Sequence, residues 1–159
     1  MAQGLNAILN LRAKLSAIND SLRDNTLVIA SLSKPINEAQ ICELNSEQQL
    51  YDYGVNALGV DISDYQPYAP LTIGIKRSKG QPSDRVTLRD TGDFHGSFFV
   101  KFGKDGFVID ATDSKRDKLV GKYGKQIFGL TPESKTYVSN EILKPELLEE
   151  IKAILYGHK

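Results

Sequence analysis

The strictest constraint on this chain lies between Ser97 and Ala111. Phe98, Val100 and Phe102 recur at every second position, Gly103-Lys104-Asp105-Gly106 interrupts them, and Phe107 and Ile109 resume the alternation. Side chains two residues apart share one face of a strand. A Gly-bounded break of four residues between two such runs is a hairpin signal. The segment therefore predicts a β-hairpin over about 97–111, with its five large apolar side chains on one face. A hairpin alone cannot bury such a face, so the flanking sequence has to cover it.

The flanks read as helices. Leu5, Ile8, Leu11, Leu15, Ile18 and Leu22 recur at spacings of three and four and form one stripe, with Arg12, Lys14, Asp20 and Arg23 largely between them. This N-terminal helical segment, 1–34, either packs on its own domain or docks on a neighbouring subunit. Asn25-Thr26 interrupts it, Leu27 to Ala30 continues it or opens a strand, and Pro35 ends what precedes it. A second helix begins at Pro35 or at Ser46, where Ser46-Glu47-Gln48-Gln49 has capping-box spacing. Gly59 is placed to stop it.

Asp61 to Pro70 reads as a surface loop. Leu71 to Ile75 alternates like a strand, Lys76 to Arg85 is a basic loop, and Val86-Thr87-Leu88 is a short further strand. After the hairpin, Asp113 or Ser114 caps a helix carrying Leu119, Val120, Tyr123 and Ile127, with Gly129 at its end. Thr131-Pro132-Glu133 restarts a helix, Pro145 breaks it after Leu143, and Leu147 to Leu155 make a terminal amphipathic helix. Helices, a small antiparallel sheet, then helices again is an α+β order, and 159 residues suit one domain over 1–159.

Twenty Lys and Arg balance twenty Asp and Glu, which argues against a protein whose main task is gripping phosphate backbone. One Cys and two His cannot build an N/S-type zinc site or an internal disulfide framework. No cofactor is expected. No apolar run approaches a membrane span, and no signal-peptide core is read at the N-terminus. These features suit a soluble protein of a reducing compartment.

Five constellations invite chemistry. Asp90-Thr91-Gly92 matches the aspartic-protease triplet, but Arg89 before it and Asp93 after it are wrong for a buried carboxylate dyad. Thr91 and Gly92 read instead as a structural turn. His95 beside Asp90 and Asp93 reads as a loop residue, and His158 as a frayed end. Gly121 to Lys125 lacks phosphate-loop spacing, and Asp110, Asp113 and Asp117 lack the pattern of an EF-hand. Lys115, Arg116, Lys118, Lys122 and Lys125, interleaved with acids, read as a solvated helix face.

The run Gln49-Leu50 … Gly54 … Ala57-Leu58-Gly59 … Ile62 … Tyr65 leads through Thr72-Ile73 … Lys76 to Gly80-Gln81-Pro82-Ser83-Asp84-Arg85-Val86-Thr87-Leu88-Arg89-Asp90-Thr91-Gly92-Asp93-Phe94. This pattern resembles proteins of phages and prophages of gut Bacteroidetes. More widely, it resembles the tail-completion, or virion-morphogenesis, proteins of tailed phages. In that family a Leu-x-x-Thr-Gly-x-Leu-x-x-Ser-like segment opens a hairpin, matched here by Leu88 to Ser97, with Phe94 in place of the usual Leu. Lys122-Tyr123-Gly124 and Ile127 to Glu133 follow in the same order. The likeness covers about half the chain.

The resemblance implies a non-enzymatic virion component, assembled in the host bacterial cytoplasm. Its position would be the head-tail connector, the neck or the tail end. It would work as a homo-oligomeric ring touching portal, connector or tail proteins. Leu5, Ile8, Leu15, Ile18, Leu22, Tyr65 and Tyr68 are then candidate subunit-interface residues, within a Tyr-rich set that includes Tyr51 and Tyr53. The alternative is a small binding module in which Lys76, Arg77, Lys79 and Arg85 contact nucleic acid or an acidic protein. An enzyme centred on Asp90 is the third possibility. The basic stretch after Ile75 and the acidic Glu146, Glu149 and Glu150 would let neutral subunits stack without mutual repulsion.

Overall fold

A computed structural model describes residues 2–157; His158 lies outside them. The hairpin forms as its alternation predicts. β1 (Phe98–Gly103) and β2 (Gly106–Ala111) pair antiparallel, with Phe98 opposite Ala111, Val100 opposite Ile109 and Phe102 opposite Phe107. The apolar side chains therefore share one face, while Val108 on the other face is 59% exposed. Helices before and after cover the hairpin, so the fold is α+β.

On the N-terminal side, α1 (Ala2–Arg23) is followed by α2 (Thr26–Leu32), and the break between them is Asn25 in the left-handed conformation, φ 62°. Leu27 to Ala30 are therefore helical. α3 (Pro35–Glu43) starts with Pro35 in the first turn and runs without interruption into a π-helical stretch, Leu44–Tyr53. Ser46 is thus inside a helix rather than at its start, its hydroxyl donating to the Cys42 carbonyl. Gly54 (φ 66°), not Gly59, ends the helix. α8 (Lys144–Tyr156) closes the chain and is continuous with α7 (Pro132–Tyr137) through a second π-helical stretch, Val138–Leu143. Pro145 therefore breaks nothing. It lies in the first turn after the π-helical stretch, where the α-helical i to i−4 pairing that proline disrupts has already been displaced.

Three further differences follow from local chemistry. Leu71 to Ile75 belongs to α4 (Pro70–Ser78), not to a strand: Pro70 supplies a pre-set first turn and Lys76 and Arg77 favour the C-terminal end of the helix dipole. Val86 to Leu88 forms no strand, and Leu88 adopts a left-handed φ of 54°. After a single turn, α5 (Asp93–Gly96), and the hairpin, α6 (Arg116–Tyr123) stops at Gly124 (φ 85°), five residues before Gly129. Thr131 caps α7 as its sequence predicts, its hydroxyl accepting from the Ser134 N–H at 3.2 Å.

Two apolar clusters build the core. Leu32, Ile41, Val100, Ile109, Leu130, Val138 and Ile142 form one. Leu50, Ile62, Val86, Leu88, Phe94, Ala111 and Ile127 form the other. Phe98 and Phe128 pack against both, with ring centroids 5.3 Å apart. Among the described residues, no helix is long and apolar enough to cross a membrane, and no three His, Cys, Asp or Glu side chains are grouped as metal ligands.

Candidate assembly interface

The apolar stripe of α1 meets its own chain at one end only. Ile18 is buried, and Lys14 Nζ donates to the Leu155 carbonyl of α8 at 2.8 Å. Before that anchor, every residue from Gln3 to Ala13 is exposed. Leu5 is 58% and Ile8 66% exposed, and Leu15 and Leu22 also face outward, as do Leu9 and Leu11. Ile8, Leu11, Leu15, Ile18 and Leu22 follow a strict alternation of three and four, the spacing of a coiled-coil seam. Ile18 is thus taken up by the chain's own fold, and the rest of the stripe is open.

The tyrosines separate. Tyr65 is exposed, whereas Tyr68 is half-buried and its hydroxyl binds Thr87, accepting from the Thr87 N–H at 3.0 Å. Tyr51 and Tyr53 belong to the π-helical stretch rather than to a loop.

The basic segment is not the open loop its composition suggests. Lys76 is buried in the last turns of α4, over the Tyr68 ring, donating to the Arg89 carbonyl at 2.5 Å and to Gln81 and Thr87. Lys79 pairs with Asp90 at 2.6 Å, and Arg85 pairs with Asp84 and donates to the Tyr51 carbonyl. Arg77 is exposed and donates to the Ser83 hydroxyl at 3.4 Å. The Lys79 ammonium holds the Asp90 carboxyl below its usual range, the opposite of a carboxylate that shares a proton. Thr91 donates to the Asp93 carboxylate at 2.6 Å and Gly92 adopts φ 103°, a turn that leads into α5.

Sequence reasoning missed a set of buried polar ties. Asn45 and Gln49, one turn apart, clasp the backbone of 127–131. Asn45 donates to Ile127 O and accepts from Gly129 N; Gln49 donates to Gly129 O and accepts from Thr131 N, all at 2.9–3.1 Å. A second set centres on His95, which is 4% exposed and donates from Nε2 to the Thr87 carbonyl at 2.9 Å. Its Nδ1 is buried without a hydrogen bond, 3.5 Å from a Glu47 carboxylate oxygen, and Arg89 binds the other oxygen at 2.6 Å. Burial lowers the His95 pKa; Glu47 opposes this, but its charge is already shared with Arg89. These ties hold Leu88 in a left-handed conformation, φ 54°, that a leucine rarely adopts. The bonded partners lie 8 to 84 positions apart in the chain, so no local spacing signals them.

Asn45 and Gln49 bind the 35–53 helix to the start of α7, and an open cleft of about 1190 Å³ lies between these two elements. Its rim presents Tyr53, Leu58 and Tyr137, and Glu43, Asp52 and Glu133 face it. No protein family, curated protein or solved structure matches the chain.

Proposed function

We propose that this protein is a non-enzymatic structural subunit that assembles with copies of itself through α1. We propose further that it serves as a tailed-bacteriophage virion component at the head-tail connector, neck or tail-completion position. One observation carries the assembly role: the exposed run Gln3 to Ala13, with Leu5, Ile8, Leu9 and Leu11 open to water. A helix of this length is marginal on its own in water, and contiguous exposed apolar surface of this kind marks an interaction site. Burying Leu5, Ile8, Leu9, Leu11 and Leu15, each about half exposed, is worth roughly 5 kcal/mol in gross transfer free energy. Support for the virion position is the resemblance of residues 49–133 to the tail-completion family; portal, connector or tail proteins are then the further partners.

The binding-module alternative draws less support from the geometry. Of its four cations, Lys76 is buried, and Lys79 and Arg85 are paired with neighbouring acids. Negative-stain electron microscopy of the purified chain tests the proposal. Closed rings are expected. Separate monomers that shift DNA with a steep salt dependence would instead favour the binding module.

A further inference from the structure

Two open surfaces lie toward opposite ends of the 132–156 helix. α1 is anchored near the C-terminal end, at Leu155, and the cleft is walled by Thr131 to Ser134 and Tyr137 at the N-terminal end. Tyr137 and Leu155 are roughly 27 Å apart along a helix rising 1.5 Å per residue. While Ile18 and Lys14 hold α1 to its own body, α1 cannot enter its own cleft.

The cleft has the chemistry to receive such a helix. Tyr53, Leu58 and Tyr137 expose apolar surface at its rim, and tyrosine is among the side chains that anchor interfaces. Glu43, Asp52 and Glu133 make no ion pair among the described residues, and no Lys or Arg lines the cleft. The exposed part of α1 is complementary: it is apolar on its stripe, has no carboxylate between residues 2 and 13, and carries Arg12. Twelve residues of helix, about 18 Å long and 10 Å across, occupy on the order of 1400 Å³, so an open cleft of about 1190 Å³ takes part of such a helix's girth rather than the whole.

We infer that α1 of one copy lies in the cleft of the next copy, its stripe against Tyr53, Leu58 and Tyr137 and Arg12 among the three carboxylates. This rests on the assembly role proposed above and adds the receiving surface. The contact joins two different surfaces, so it repeats head to tail and closes into a ring where the rotation allows. A two-fold α1–α1 pair would be isologous and stop at two copies, and a parallel α1 bundle of three or four would close on itself without using the cleft.

Cysteine cross-linking of the full chain tests it. One preparation carries Ile8→Cys, a second Leu11→Cys, a third Leu15→Cys, and each is mixed with a Tyr137→Cys preparation and treated with a short bismaleimide. All four sites are exposed, and the native Cys42, half-buried with its thiol pushed up by burial to about 11, is replaced by serine in every preparation. Covalent pairs of twice the 17.6 kDa chain mass, formed in the mixtures and absent when either preparation is treated alone, are expected. If light scattering shows assembly but α1 cysteines link only to one another, or none links to position 137, the cleft is not the receptor while the assembly role stands. If no assembly is detected at all, both fail.

Discussion

His95 has one ring nitrogen bound and the other buried beside a carboxylate, which makes its protonation state a test of the polar ties. With Nε2 donating to Thr87, the neutral ring leaves the Nδ1 lone pair without a donor. The folded protein holds His95 below the ordinary histidine value near 6.5. Between these two values the unfolded chain binds more protons, so stability falls as pH drops through that window and levels off below the folded value. Denaturant titration across pH 7.5 to 4.5 should show that fall, and His95→Gln, which keeps a donor for Thr87, should remove it. Lys76 gives a second residue-level test. Lys76→Met keeps the stem over Tyr68 but leaves the Arg89 carbonyl without its donor, for an expected loss of about 2 kcal/mol. If Lys76 were a free surface cation, the change would be close to neutral.

At the scale of elements, the end of the 35–53 helix is the most sensitive point. Gly54 is buried at φ 66°, and a Cβ there would sit 3.0 Å from that of Arg85. Gly54→Ala combines left-handed strain with that contact and should cost about 2 kcal/mol or more, read as a lower denaturation midpoint with an unchanged slope. Asp110, paired in two places with Arg116 at 2.8 and 2.9 Å, ties β2 to α6. The Arg116 guanidinium lowers the Asp110 pKa, so this contribution is present above the unfolded carboxylate value and is lost as pH falls through the folded one. Because the pair is about one-third exposed, Asp110→Asn should cost no more than about 1 kcal/mol.

Legibility also differs between elements. The hairpin was readable to the residue because its alternation is unbroken and its turn is bounded by two glycines. Leu71 to Ile75 was not, since five residues with one glycine fit period 2 and a single helical turn equally, and Pro70 decides for the helix. Pro145 misled because a proline rule for straight α-helices does not cover a helix that enters it through a π-helical stretch. Of the candidate interface, the α1 stripe was visible in the spacing of its leucines. The cleft was not, because its walls are joined by Asn45 and Gln49 across about 80 residues.

For the whole molecule, twenty positive and twenty negative charges balance, and local ion pairs such as Lys79–Asp90, Arg85–Asp84 and Arg116–Asp110 make part of that balance. In the basic stretch after Ile75, Lys76 is bound inward and Lys79 and Arg85 pair with neighbouring acids, and Lys34 pairs with Glu146 and Glu150 of α8 at 2.5 and 2.8 Å. Much of the charge of these two stretches is thus neutralised within the chain. The open stripe of α1 is apolar, and the cleft is apolar and acidic with no Lys or Arg in its lining, a complementarity that favours association with copies of the same chain. The mass in solution tests this most directly. Size-exclusion chromatography with light scattering should give a multiple of 17.6 kDa for the native chain. The Ile8→Glu, Leu15→Glu double variant should run as a folded monomer whose helical circular-dichroism signal falls by no more than the exposed turns of α1 contribute. A native chain that stays at 17.6 kDa at micromolar concentration, indistinguishable from the double variant, would contradict assembly through α1.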